Sequence, residues 1–75
     1  MAALISMPVV ESSAILRIRY RPQRRELLVT FVSGKTYAYE SVPEPVYEAF
    51  LAAPSHGAFF NHHIRDCYRY RLVSA

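Results

Sequence analysis

The sequence predicts an α+β domain: a three-stranded antiparallel meander, two helices packed on one sheet face, and a short extended C-terminal tail. Three observations predict it. Apolar residues alternate with arginines from Leu16 to Arg21, the period-2 pattern of a half-buried strand. Two further β-rich runs, Glu26 to Val32 and Lys35 to Glu40, flank a Ser33-Gly34 turn. After Val42-Pro43 the apolar spacing becomes helical, so strands precede helices along the chain.

In the first run Leu16, Ile18 and Tyr20 face one way, and Arg17, Arg19 and Arg21 the other. Arg21-Pro22-Gln23-Arg24-Arg25 is a proline-set turn. A four-residue loop over Pro22 to Arg25 sets Tyr20 opposite Leu27, Ile18 opposite Val29 and Leu16 opposite Phe31. The second hairpin admits two registers. A two-residue Ser33-Gly34 loop pairs Val29 with Ala38. A three-residue Val32-Ser33-Gly34 loop, with Gly34 left-handed at a bulge, pairs Val29 with Tyr37. The bulged register is preferred because it gathers Leu27, Val29, Phe31, Tyr37 and Tyr39 on one side, and a one-residue slip would scatter them.

Pro43 suits a first helical position, and Pro45 still falls in the first turn, where a missing N–H costs little. Val46, Ala49, Phe50 and Ala53 recur at helical spacing, with Tyr47 and Leu51 beside them, and Pro54 ends the helix. Ser55 reads as the N-cap of a second helix running to about Cys67. Its apolar stripe is Phe60, Ile64 and Cys67, with Phe59 and His63 alongside. Tyr68 to Leu72 alternates again and is the extended tail.

Seventy-five residues allow one folded unit, read as a flexible N-terminal arm over 1–9 and a single domain over 10–73. A chain this short buries about 60% of its unfolded surface, and six tyrosines with four phenylalanines supply core volume. The lone Cys67 forms no internal disulfide. Met1 to Val10 is apolar but lacks a basic flank, and is shorter than the roughly 20 residues a span requires. A cytoplasmic protein without a membrane partner is expected. Net charge is +3 with a pI near 9.4, compatible with nucleic-acid binding and equally with ordinary solubility. Eight of the nine basic residues are arginine, five of them between Arg17 and Arg25.

Taken in order, Ser12-Ser13, Tyr20, Leu27-x-Val29-x-Phe31, Gly34, Tyr37-Ala38-Tyr39, Val42-Pro43, Val46-Tyr47, Ala53, Ser55, Gly57, Phe60-Asn61, Ile64-Arg65 and Tyr68 make a pattern that resembles the KTSC domain. That module is seen alone in bacteria and at the C-terminus of some lysyl-tRNA synthetases. The likeness runs from about Val10 to Leu72. Arg19-Tyr20-Arg21 is more basic than the family's usual first strand. The resemblance implies little about activity, since the family has no established function, and its synthetase fusion points to RNA by association. It also marks Tyr37, Tyr39, Pro43, Tyr47, Ser55, Gly57, Asn61 and Arg65 as motif positions, read here as structural.

The candidate chemistry lies with the arginines. Arg17, Arg19 and Arg21 on the open sheet face, Arg24 and Arg25 at its edge, and Arg69 and Arg71 in the tail are candidate contacts for a tRNA-like RNA or another polyanion. The competing account is a solvated face whose arginine stems cover Leu28, Thr30 and Val32. A protein-interaction or homodimer surface built from Leu28, Val32 and the tyrosine tail is the alternative function. Tyr37 and Tyr39 have the chemistry of a base-stacking platform, yet they share the predicted face of Leu27, Val29 and Phe31 and read as core. The Ser55–Arg65 segment has an anion-holding reading, and a simpler one of capping and packing. A zinc pair of His63 and Cys67 would need two more ligands, so no metal site is read. With no oriented nucleophile, phosphate loop or carboxylate pair, no enzyme is expected.

Overall fold

A computed structural model describes residues 14–74; the arm expected over 1–9 lies outside them. Strands β1 (Ile15–Arg21), β2 (Glu26–Phe31) and β3 (Thr36–Tyr39) are followed by helix α1 (Glu44–Ala52). Helix α2 (His56–Phe59) runs into a π-helical segment (Phe60–Ile64), and strand β4 (Tyr70–Ser74) ends the described chain. The sheet is antiparallel in the order β1-β2-β3-β4. The extended tail pairs with the sheet as a fourth strand: Tyr39 lies beside Tyr70, Tyr37 beside Leu72 and Ala38 beside Arg71.

The first hairpin has the expected turn, with Arg21 opposite Glu26, Tyr20 opposite Leu27 and Ile18 opposite Val29. Arg25 closes it at φ 51°. The expected pairing of Leu16 with Phe31 is incorrect. A bulge between Ile15 and Arg17 sets Ile15 opposite Phe31 and turns Leu16 outward, 63% exposed. The extra residue shifts parity by one, so Ile15 joins the core in its place.

The second hairpin takes the bulged register. Val29 lies opposite Tyr37, Gly34 sits at φ 97°, and its N–H donates to the Phe31 carbonyl at 2.8 Å. A Cβ at Gly34 would meet nothing within 4 Å. Gly34→Ala should therefore meet no clash and cost only the strain of a side chain at positive φ, about 1 kcal/mol, and lower Tm by about 4–8 °C. Thermal melts of the two proteins check this, and an unchanged Tm would contradict the strain.

The core gathers Leu27, Val29, Phe31 and Tyr39 from the sheet with Val42, Phe50, Phe60 and Ile64 from the loop and helices. Pro43 is the residue before α1, and its carbonyl accepts from Val46 N–H at 3.0 Å. The helix is rotated from the expected stripe, with Ala49 and Leu51 exposed and Val46, Tyr47 and Phe50 turned inward. Tyr20 explains the rotation. Its ring stacks on Tyr47 at 5.0 Å, and its hydroxyl donates to the Val42 carbonyl at 2.6 Å. That pair draws the Tyr47 side of the helix towards β1.

Ser55 caps α2, its Oγ accepting from Ala58 N–H at 3.1 Å. The regular helix expected to reach Cys67 stops at Phe59. Arg65 N–H reaches back to the Phe60 carbonyl at 2.8 Å, the i→i+5 bond of a π turn. The wider turn keeps Phe60 and Ile64 in the core but carries the chain past its apolar face. Cys67 is consequently exposed rather than the buried hydrophobe expected. No helix among the described residues is long and apolar enough to cross a membrane.

Candidate functional site

Strand pleating gives the sheet two unlike faces. Both helices cover one. The other carries Arg17, Arg19 and Arg21 from β1, Glu26, Leu28 and Thr30 from β2, Thr36 and Ala38 from β3, then Glu40 and Arg71. No described helix crosses this face, and β4 extends the sheet at the edge farthest from β1. Leu28 and Ala38 are nonetheless buried. They stand across the ladder from Arg19 and Arg71, whose aliphatic stems are suited to shielding such positions. Thr30 and Thr36 complete the row with a cross-strand hydroxyl contact at 2.9 Å.

The arginines of this face fall into two sets. Arg71 Nη2 donates to Glu26 Oε2 at 2.7 Å and its Nη1 to Glu40 Oε2 at 3.4 Å. Arg21 Nη1 donates to Glu26 Oε1 at 3.4 Å. Glu26, only 4% exposed, is thus held between two guanidinium groups. These four residues sum to zero charge. Arg17, Arg19, Arg24 and Arg25 are exposed and have no acidic partner within 4.0 Å among the described residues. They occupy the β1 side of the face and the adjoining turn. Arg69 is exposed just before β4, at the opposite side.

The seven arginines singled out in the sequence therefore do not form one patch. Four gather at β1 and its turn, two are tied to carboxylates, and Arg69 stands apart. Glu26 was missed as the counterion. Its signal was its position opposite Arg21 across a four-residue loop, but the partnership with Arg71 requires β4 to join the sheet.

Tyr37 and Tyr39 lie on the helix-covered face. Tyr39 is completely buried, with Phe60 at 5.7 Å edge-on and Tyr70 at 5.4 Å. Tyr37 meets Phe31 and Tyr70 edge-on at 6.0 and 5.7 Å. This packing excludes Tyr39 as a stacking surface. Burial pushes its phenol well above the usual tyrosine range, with Tyr70, Tyr37 and Asp66 adding to the shift. A raised folded-state pKa leaves stability intact below the unfolded value, about 10. Above that pH the unfolded chain loses a proton that the folded one keeps, so stability falls as pH rises. Urea midpoints should drop from about pH 10 upward, and Tyr39→Phe should flatten that decline.

The other motif positions lie at these places: Tyr47 under Tyr20, Ser55 at its cap, Gly57 buried in α2 and Asn61 half-buried in the π segment. Arg65 lies 3.5 Å from Asp66 through its Nε. His56 Nε2 donates to the Leu51 carbonyl at 3.3 Å, and the His63 ring packs 4.6 Å from Phe59. Among the described residues no three of His, Cys, Asp or Glu stand together as a metal site would require. The alternative interaction surface is also dispersed. Leu28 is buried, Val32 lies beside the start of β1, and the tail forms the far edge.

Residues 11–73 match the family model of the KTSC domain. A protein of Tsukamurella paurometabola is 41% identical over 68 residues, covering 91% of this chain and 98% of that one. A lysine–tRNA ligase of Nostoc sp. is 36% identical over 73 residues, 95% of this chain but only 13% of the ligase. The crystal structure of a KTSC domain protein from Yersinia pestis superposes with a TM-score of 0.77 at 37% identity, covering 92% of this chain and 96% of that one. The chain therefore shares the fold of that solved domain and belongs to the KTSC domain family.

Proposed function

We propose that this domain is a non-catalytic, cytoplasmic binding module for RNA or a comparable polyanion, with the β1 side of its open sheet face as the contact surface. The observation that carries the reading is the separation of the arginines: Arg17, Arg19, Arg24 and Arg25 are exposed without acidic partners among the described residues. Guanidinium groups of this kind suit phosphate contact, which positions a nucleic acid without reading its sequence. A relative named as a lysine–tRNA ligase also contains this domain, which favours a tRNA-like partner. Arg21 and Arg71 contribute less, because Glu26 and Glu40 already compensate them.

The test is a titration of labelled tRNA, and of a random RNA single strand, at several salt concentrations. Affinity should fall steeply with salt, by a log–log slope of about 0.7 per phosphate contact on single strands. Arg17→Ala with Arg19→Ala should make that slope shallower by about 1.4, two contacts' worth. Arg21→Ala should change it much less. Absence of binding at low salt, or an unaltered slope in the double variant, would remove the proposal.

A further inference from the structure

We propose that two copies of this domain pair through β4 to form a continuous eight-stranded sheet. Among the described residues β4 is an edge strand, exposed along its whole length. Glu40 N–H donates to the Arg69 carbonyl at 2.9 Å, so the backbone of Arg69 points inward to β3. By ladder alternation Arg71 also points inward, whereas the N–H and C=O groups of Tyr70 and Leu72 face the free edge. Their side chains, 38% and 50% exposed, are among the largest apolar groups on the surface.

These two residues are complementary to themselves. An antiparallel copy, related by a two-fold axis through Arg71, sets Tyr70 against the partner's Leu72 and Leu72 against the partner's Tyr70. The pairing satisfies all four outward groups on each strand and forms two aromatic–aliphatic cross-strand pairs. It also brings the two Arg71 side chains face to face. Each is already held by Glu26 at 2.7 Å and Glu40 at 3.4 Å in its own protomer, so the expected repulsion is compensated in advance.

The opposite edge lacks this compensation. β1 carries Arg17 and Arg19 without acidic partners among the described residues, the kind of charged edge that resists strand pairing. Directly opposed residues in an antiparallel ladder point to the same face. The dimer therefore keeps all helices on one side and brings both open faces onto the other. The pairing does not depend on what, if anything, those faces bind.

The interface is short, which places it among weak, micromolar associations. Sedimentation velocity over a wide concentration range should show a monomer–dimer shift. Hydrogen exchange at Tyr70 and Leu72 should slow as concentration rises. Leu72→Lys, at a half-exposed position, should abolish both effects while leaving the near-UV spectrum and thermal midpoint close to those of the parent. Glu26→Gln should weaken the dimer by releasing the Arg71 charges. A monomer at every concentration overturns the proposal, as does a dimer that survives Leu72→Lys. Protection of Tyr70 and Leu72 that ignores concentration would mean that the chain covers its own edge, and equally overturns it.

Discussion

Phe60→Ala should leave much of the population unfolded at physiological temperature. Phe60 is completely buried at the start of the π segment, with rings of Phe31, Tyr39 and Phe50 at 5.6, 5.7 and 6.5 Å. Among the described residues it is the one side chain that joins β2, β3 and α1 through aromatic contacts. Truncating a buried phenylalanine costs about 3–5 kcal/mol, through lost transfer energy and the cavity left behind. A domain of this length has a total stability of about 4–11 kcal/mol at the usual per-residue range. The loss is thus comparable with the whole. Urea unfolding followed by near-UV circular dichroism gives the measurement. Phe60→Leu, which refills most of the space, should lose about 1–2 kcal/mol. Phe59→Ala, a half-buried position stacked on Phe50 at 5.3 Å, should cost less than Phe60→Ala. Equal losses at 59 and 60 would refute the central role of Phe60.

Arg71→Met is the second large effect, and the reason is the residue it leaves behind. Glu26 is buried, with Arg71 at 2.7 Å and Arg21 at 3.4 Å. Without Arg71 the carboxylate keeps only the longer contact. Stranding a fully buried charge costs about 3–5 kcal/mol. Because the Arg71 side chain is about half exposed, water partly replaces it, and about 1–3 kcal/mol is the appropriate range. Glu26→Gln should cost less than Arg71→Met, since the freed guanidinium groups return to solvent whereas a freed carboxylate stays buried. The double variant should resemble Glu26→Gln alone, a coupling that a double-mutant cycle reads directly. Additive losses would show that the bond at 2.7 Å contributes nothing of its own. Amide exchange should also accelerate in β4, since Arg71 is its only ion-paired side chain.

Much of the fold was legible before any coordinates. Gly34 needed a left-handed turn, and parity then placed Val29 beside Tyr37, as observed. Pro43, Pro45 and Ser55 marked the helix starts because each acts on backbone within three residues of its own position. The candidate site was only partly legible. Arg17 and Arg19 were placed on the open face by alternation alone, but the sequence does not show that Arg21 and Arg71 are neutralised.

Short-range chemistry therefore set the meander, its second register, the helix starts near Pro43 and Ser55, and the two faces of the sheet. Tertiary structure alone decided four things. The tail became β4 because Tyr70 can cover Tyr39 and Tyr37 while Arg71 meets two carboxylates, contacts more than 30 residues apart in the case of Glu40. Leu16 turned outward because a bulge let Ile15 reach the core. α1 rotated so that Tyr47 could stack on Tyr20. The second helix widened into a π turn that holds Phe60 and Ile64 in the core and leaves Cys67 outside it. In each case the gain comes from packing between distant segments, which outweighs the small local preferences that a periodic pattern records.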